Sequence, residues 1–199
     1  MRLNAAALRS ESVQAAFSNK AVSTPDYDFA ATIAGIVHLG IGAFHRAHMA
    51  VYVDDLLKDN PDWAIVGASL RRPDTREALA PQDFLYTLAV RDAEGTRARI
   101  IGSIRDVIDA NADRQHLLAL MSSPGIRIVS LTVTEKGYCY APATGELDES
   151  HPDIVHDLAH PEDPVSAPGI IAAALRRRFE AGVIPFTVMS CDNLPANGK

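Results

Sequence analysis

Apolar residues fall along this chain in short blocks separated by turns rich in glycine, proline and acid, and the blocks switch between two periodicities. The run 36–39 (Ile36, Val37, His38, Leu39) is short and nearly all apolar, which predicts a buried strand. After Gly40, Ile41 and Gly42 a helical pattern covers 44–58, with Ala50, Val53 and Leu57 as its apolar stripe and Asn60, Pro61 and Asp62 as its stop. Residues 63–69 predict a second buried strand and 75–80 a short helix. Residues 84–90 and 96–101 alternate around Asp92, Ala93, Glu94 and Gly95, as the arms of an antiparallel hairpin do. An amphipathic helix over 113–122 ends at Ser123, Pro124 and Gly125, and a strongly apolar strand follows over 126–133. Residues 138–165 are rich in proline and acids and predict a long irregular excursion hinged at Gly137. A helix over 168–181, with Ile171, Leu175 and Phe179 in register and Gly182 as its stop, leads to a last strand over 185–190. Residues 1–33 read as an N-terminal leader with one short helix over 10–18 and a turn at Thr24-Pro25-Asp26.

Strands alternating with helices predict an α/β fold: a doubly wound, Rossmann-like, mostly parallel sheet with the antiparallel hairpin as an insertion, occupying 34–199 as a dinucleotide-binding domain. The stretch 36–46 is its centre. Gly40 permits a tight turn, Gly42 has no side chain to block a pyrophosphate, and the helix start offers free amides to phosphate oxygens. Gly40, Ile41, Gly42, Ala43, Phe44, His45 and Arg46 are therefore the candidate phosphate segment. His45 stands where a third glycine is usual, so the residues alone leave an ordinary strand–turn–helix open. After the second strand come Arg71, Arg72 and Asp74. A carboxylate there bonds the ribose hydroxyls of NAD, whereas an arginine suits the 2′-phosphate of NADP; Asp74 could equally cap the helix 75–80. Thr132 and Glu135, at the end of the strand 126–133, lie where the nicotinamide half would sit, and Glu135 with Lys136 could also be a solvated loop. Asn193, at the end of the last strand, is a candidate donor to a developing alkoxide or one half of a turn-forming Asp-Asn pair.

Composition narrows the partners. A formal charge of −6 argues against nucleic acid and membrane surfaces, and Arg176-Arg177-Arg178 reads as a solvated helix end whose charge suits the C-terminus. Cys139 and Cys191 form no framework of paired cysteines, and no stretch approaches the ~18 apolar residues of a span. With no signal-peptide core near the N-terminus, the expectation is a cytoplasmic protein. His151, His156 and His160 lack a cysteine or carboxylate on a clear frame, so they read as surface histidines and no metal site is expected.

The string Gly40-x-Gly42-x-Phe44-His45-Arg46-x-His48 closely resembles the N-terminal segment of the long-chain mannitol dehydrogenase family, which includes mannitol 2-dehydrogenase and fructuronate reductase. Residues 130–138 and 188–198 resemble two further segments of that family, in its order. The resemblance implies hydride transfer between a nicotinamide and a polyol or keto-sugar. It maps Asp74 onto the cofactor-selecting acid, with Pro73 where some members carry a second acid, so NAD is favoured over NADP. It makes Asn193 one of a pair of oxyanion-stabilising asparagines. The family's base is a lysine on a separate C-terminal domain that also carries most of the sugar pocket. Lys136 and Lys199 do not match its motif, so this chain is expected to be the N-terminal half of a member, inactive alone and prone to self-association. Two other classes compete: a non-catalytic nucleotide-binding module, and an S-adenosylmethionine-dependent methyltransferase-like domain, disfavoured by His38 where an acid would help.

Overall fold

The structure, a computed structural model, describes residues 3–19, 22–141, 144–194 and 197. Helices α1 (Ala5–Leu8) and α2 (Glu11–Asn19) and the strand β1 (Val22–Ser23) come first. They are followed by β2 (Ala34–Leu39), α3 (Ala43–Ala47), α4 (Met49–Leu56), β3 (Ala64–Ser69) and α5 (Asp74–Leu79). The hairpin β4 (Tyr86–Asp92) and β5 (Gly95–Ile101) precedes β6 (Ile104–Asp109), α6 (Arg114–Ser122) and β7 (Ile128–Leu131). Last come α7 (Pro152–Ala159), α8 (Ala167–Glu180) and β8 (Thr187–Ser190).

Five strands form a wholly parallel sheet in the order β6-β3-β2-β7-β8. β2 is the earliest of the five and lies at the centre, so the chain winds outward first one way and then the other. The pleat divides the core. Val37 and Leu39 of β2 face α6 and α8, where Leu117, Leu118, Met121, Ile170 and Ala174 are buried. Ile36 faces the opposite side, against Ala50, Val53, Leu57 and Ile101. Both faces being covered explains why β2 and β3 read as unbroken apolar runs. The hairpin pairs Tyr86 with Ile101 through to Asp92 with Gly95 and belongs to a separate three-stranded sheet, with β1 parallel to β5. Leu8 and Phe29 of the leader pack there against Leu85 and Ile100. Asp54 of α4, buried, accepts from the Gly102 amide at 2.8 Å, from Arg99 at 2.5 Å and from the Tyr27 hydroxyl, which joins the two sheets.

Several local expectations are corrected. The helix expected over 44–58 is broken at His48 (φ −125, ψ −89), whose Nδ1 donates to the Phe44 carbonyl at 2.9 Å and whose ring stacks on Phe44. The strand expected over 126–133 stops at Leu131, because the amides of Val133 and Thr134 turn to the Asp192 carboxylate at 3.0 and 3.1 Å. β6 was not anticipated; as an edge strand it tolerates Arg105, Asp106 and Asp109 among its apolar residues. α7 lies inside the excursion expected to be irregular, and its buried Asp157 accepts from the amides of Val165 and Ser166 at 2.6 and 3.1 Å. α8 is rotated from the expected face: Ile170, Ala173, Ala174 and Arg178 are buried, Ile171 and Leu175 are partly buried, and Phe179 is 86% exposed. Arg178 is thus no solvated cation. It donates to the carbonyls of Met121, Ser123, Ile126 and Ile184 at 2.5–2.8 Å, closing the turn after α6. Among the described residues no helix is long and apolar enough to cross a membrane.

Candidate functional site

The sheet order places its switch point between β2 and β7, and in open α/β sheets ligands enter beyond the C-terminal strand ends at such a point. A chain of side-chain bonds fixes the geometry there. The Thr132 hydroxyl donates to the Gly40 carbonyl at 2.8 Å, so it accepts from His38 Nε2 at 2.8 Å; in the neutral ring Nδ1 then accepts from the Ser130 hydroxyl at 2.8 Å. Burial pulls the His38 pKa down to about 3, which keeps this tautomer neutral at ordinary pH. His45 of α3 stacks on His38 with ring centroids 3.5 Å apart, 1% exposed, and neither of its nitrogens has a partner. Burial first, then the neighbouring His38 and Arg46, lower its pKa to about 2.

Beyond these strand ends lies a cleft of about 600 Å³, lined by Gly40, Ile41, Gly42, Arg71, Asn111, Thr132 and Ser166 among others. The two glycines differ in kind. Gly40 has φ +89, and a Cβ on it would lie 2.3 Å from the Thr132 carbonyl oxygen, so the fold itself demands glycine. Gly42 has an ordinary φ of −86, and a Cβ there would meet nothing nearer than the Gly40 oxygen at 3.8 Å. The amides that open α3 have no side-chain cap, and the helix is only five residues long, so its dipole is small and the free N–H groups carry the attraction to an anion.

Gly40, Ile41, Gly42, Arg71 and Thr132 all line this cleft. Ala43 and Phe44 are exposed just past the turn, His45 is buried behind it, and Arg46 points back to the Ile41 carbonyl at 3.1 Å. Asp74 is the first residue of α5 and makes no capping bond, which corrects its reading as a cap; exposed, it pairs with Arg72 at 3.0 Å. Glu135 and Asn193 share a second hollow of about 440 Å³ with Thr134, Lys136, Asp192 and Leu194. Asp192 organises it: besides the two β7-loop amides it accepts from the Tyr138 hydroxyl at 2.8 Å, holding Thr134 at a strained φ of +68. Burial pushes the Tyr138 pKa up to about 12, with the Ser190 hydrogen bond opposing and Asp192 reinforcing, so its proton stays in place. Asn111, Asp153 and Ser166 were missed. Asn111 follows β6, whose recognition would have drawn attention to its C-terminal end. His151 is not partnerless, contrary to expectation: α7 folds back so that it meets Cys139 and Asp153, while His156 and His160 pack on each other. Lys199 and positions 195, 196 and 198 lie outside the described residues.

A doubly wound parallel sheet with a glycine-turn cleft at its switch point defines a dinucleotide-binding class of domain. The chain belongs to the mannitol dehydrogenase family, whose Rossmann-domain model matches residues 34–199. It is 56% identical over 183 residues to a mannitol 2-dehydrogenase of Cereibacter sphaeroides, covering 90% of this chain and 38% of that protein. The solved structure of the Pseudomonas fluorescens mannitol 2-dehydrogenase ternary complex with NAD and D-mannitol superposes with a TM-score of 0.89 at 46% identity, over 100% of this chain and 40% of that one. A substrate-free D-sorbitol dehydrogenase superposes with a TM-score of 0.86 at 43% identity, covering 89% and 38%. The chain therefore spans about two fifths of the length of these relatives. The scaffold-only and methyltransferase-like alternatives are not favoured by these likenesses.

Proposed function

We propose that this chain is the NAD-binding portion of a polyol or hexuronate dehydrogenase of the mannitol/fructose or mannonate/fructuronate type. The observation that carries the reading is the contrast between the two turn glycines: Gly42 is free of any demand from the fold, yet it faces the cleft where a pyrophosphate backbone would approach. In this reading the amides of Ala43, Phe44 and His45 hold phosphate oxygens, since those of Ile41, Gly42 and Arg46 already donate to Ala68, Gly40 and Gly42. Asp74 and Arg71 meet the adenosine ribose, with the carboxylate selecting NAD over NADP. Thr132 and Glu135 flank the nicotinamide, which when bound exchanges a hydride with the substrate carbon. Asn193 donates its amide N–H to the reacting oxygen as charge develops there, and Asp192 holds the loop opposite. The two unpaired cysteines suit a reducing, cytoplasmic setting. The exposed apolar side chains Phe179 of α8, Ile184 before β8 and Val188 within it supply surface for self-association when nothing else covers them.

The deciding experiment is NADH fluorescence titration of the 199-residue chain and its Gly42→Val variant. The variant should keep its melting temperature, because there is room for the side chain in the free protein, and lose NADH affinity by well over tenfold, a cost well above the ~1.4 kcal/mol that each factor of ten represents. Equal affinities would remove the phosphate-turn assignment.

A further inference from the structure

We propose that Cys139, His151 and Asp153 form a binding site for a divalent transition metal ion of zinc type, on the wall of the nucleotide cleft. One ligand atom from each residue falls within 4.8 Å of the other two, with Cys139 buried and the other two half-buried. Sulfur, imidazole and carboxylate together suit zinc or cobalt and exclude magnesium and calcium, which take oxygen ligands. A tetrahedral ion with bonds of roughly 2.0–2.3 Å separates its ligands by roughly 3.3–3.8 Å, so the three side chains need to close by at most roughly 1.0–1.5 Å.

The backbone prepares this meeting. Cys139 ends the short helical turn 135–138, and its carbonyl accepts from the Asp148 amide at 2.8 Å. A bridge between Tyr140 and Leu147 zips the segment, and the His151 amide donates to the Asp148 carbonyl at 3.0 Å. His151 is the N-cap of α7 and Asp153 its second residue, so two of the ligands ride on one helix start facing the third. Three protein ligands leave a fourth position, and Asp153 also lines the cleft with Arg71 and Gly137, so the open position lies beside it. In the free protein His151 Nδ1 accepts the Asp153 amide at 3.2 Å. Coordination has to draw on that lone pair or move the ring proton, so the Asp153 amide resonance reports the ion directly.

The test is optical titration of the reduced 199-residue chain with Co²⁺, followed by displacement with Zn²⁺. A thiolate-to-cobalt charge-transfer band and visible bands of tetrahedral intensity are expected, both abolished by Zn²⁺. Cys139→Ser should remove the charge-transfer band, His151→Ala and Asp153→Asn should weaken binding by roughly tenfold or more, and Cys191→Ser should change nothing. If burial of Cys139 makes its variant unfold by circular dichroism, the His151 and Asp153 variants decide alone. Absence of the band in the parent chain, its persistence in folded Cys139→Ser, or unchanged affinity in His151→Ala and Asp153→Asn overturns the proposal and leaves a hydrogen-bonded corner.

Discussion

His38 and His45 form a pair that water never reaches, and their buried rings make the protein sensitive to acid in a predictable direction. Both folded-state pKa values, about 3 and about 2, lie below the unfolded value of about 6.5, so the unfolded chain takes up protons first as pH falls. The stability they carry is complete above pH ~6.5 and drains away toward pH ~3, by about 1.4 kcal/mol per pH unit for each ring. His45→Phe keeps a stacked ring, removes two orphaned nitrogens and should halve that slope in melts run from pH 7 to pH 4. An unchanged slope would mean that His45 does not stay neutral in the fold. Asp74 acts at the same scale but on choice of cofactor. Its carboxylate repels a 2′-phosphate and already engages Arg72, so Asp74→Ser should free the arginine and raise NADP(H) affinity relative to NAD(H). If the ratio of the two dissociation constants stays fixed, the acid serves only the first turn of α5.

At the scale of elements, the joint between the two sheets rests on Asp54. Asp54→Ala strips a buried carboxylate from Arg99, the Gly102 amide and Tyr27. It should lower stability by about 3 kcal/mol, the low end for a broken buried pair because Arg99 is partly wetted, or about 6–12 °C in melting temperature for a chain of this size. A shift below about 2 °C would show that the hairpin is held by packing alone. What sequence made legible at this scale follows physical lines. β2 and β3 were readable because burial on both faces leaves a continuous apolar run, and the hairpin because Asp92 to Gly95 carries its own turn chemistry. β6 was invisible because an edge strand need not be apolar, and with it went Asn111 of the cleft. The true face of α8 was hidden because Arg178, a cation, takes an interior place through four carbonyls that no local pattern encodes. Of the proposed site, the glycine turn is a local motif and was read directly. The Asp192 clamp and the Cys139–His151 meeting join residues distant in sequence, and no periodicity announces either.

For the whole molecule, length sets the expectation for activity. The relatives run to more than twice this chain's extent, and the resemblance assigns their base to the part beyond. The 199-residue chain should bind NADH yet oxidise it negligibly with fructose or fructuronate, since a missing base alone removes ~10²–10⁴-fold. Robust turnover would direct attention to Lys136, which shares the hollow with Asn193, and Lys136→Met would then decide its role. Light scattering beside the assay should reveal association, and a clean monomer would argue against the exposed apolar surface near β8. The leader carries a different lesson. Similarity to the family model starts at residue 34, but Leu8 and Phe29 lie against Leu85 and Ile100, the Ala5 amide bonds Asp83 at 2.9 Å, and Tyr27 reaches Asp54. The leader therefore belongs to the unit that melts together, and the likeness to the Pseudomonas fluorescens structure, over 100% of this chain, takes it in as well. A chain trimmed to 34–199 would keep every residue of the nucleotide cleft yet lose one wall of its second sheet. It should bind a hydrophobic dye and unfold over a broader range of temperature than the parent. The edge of a domain pattern is not the edge of the folding unit; cooperativity marks out what must stay together.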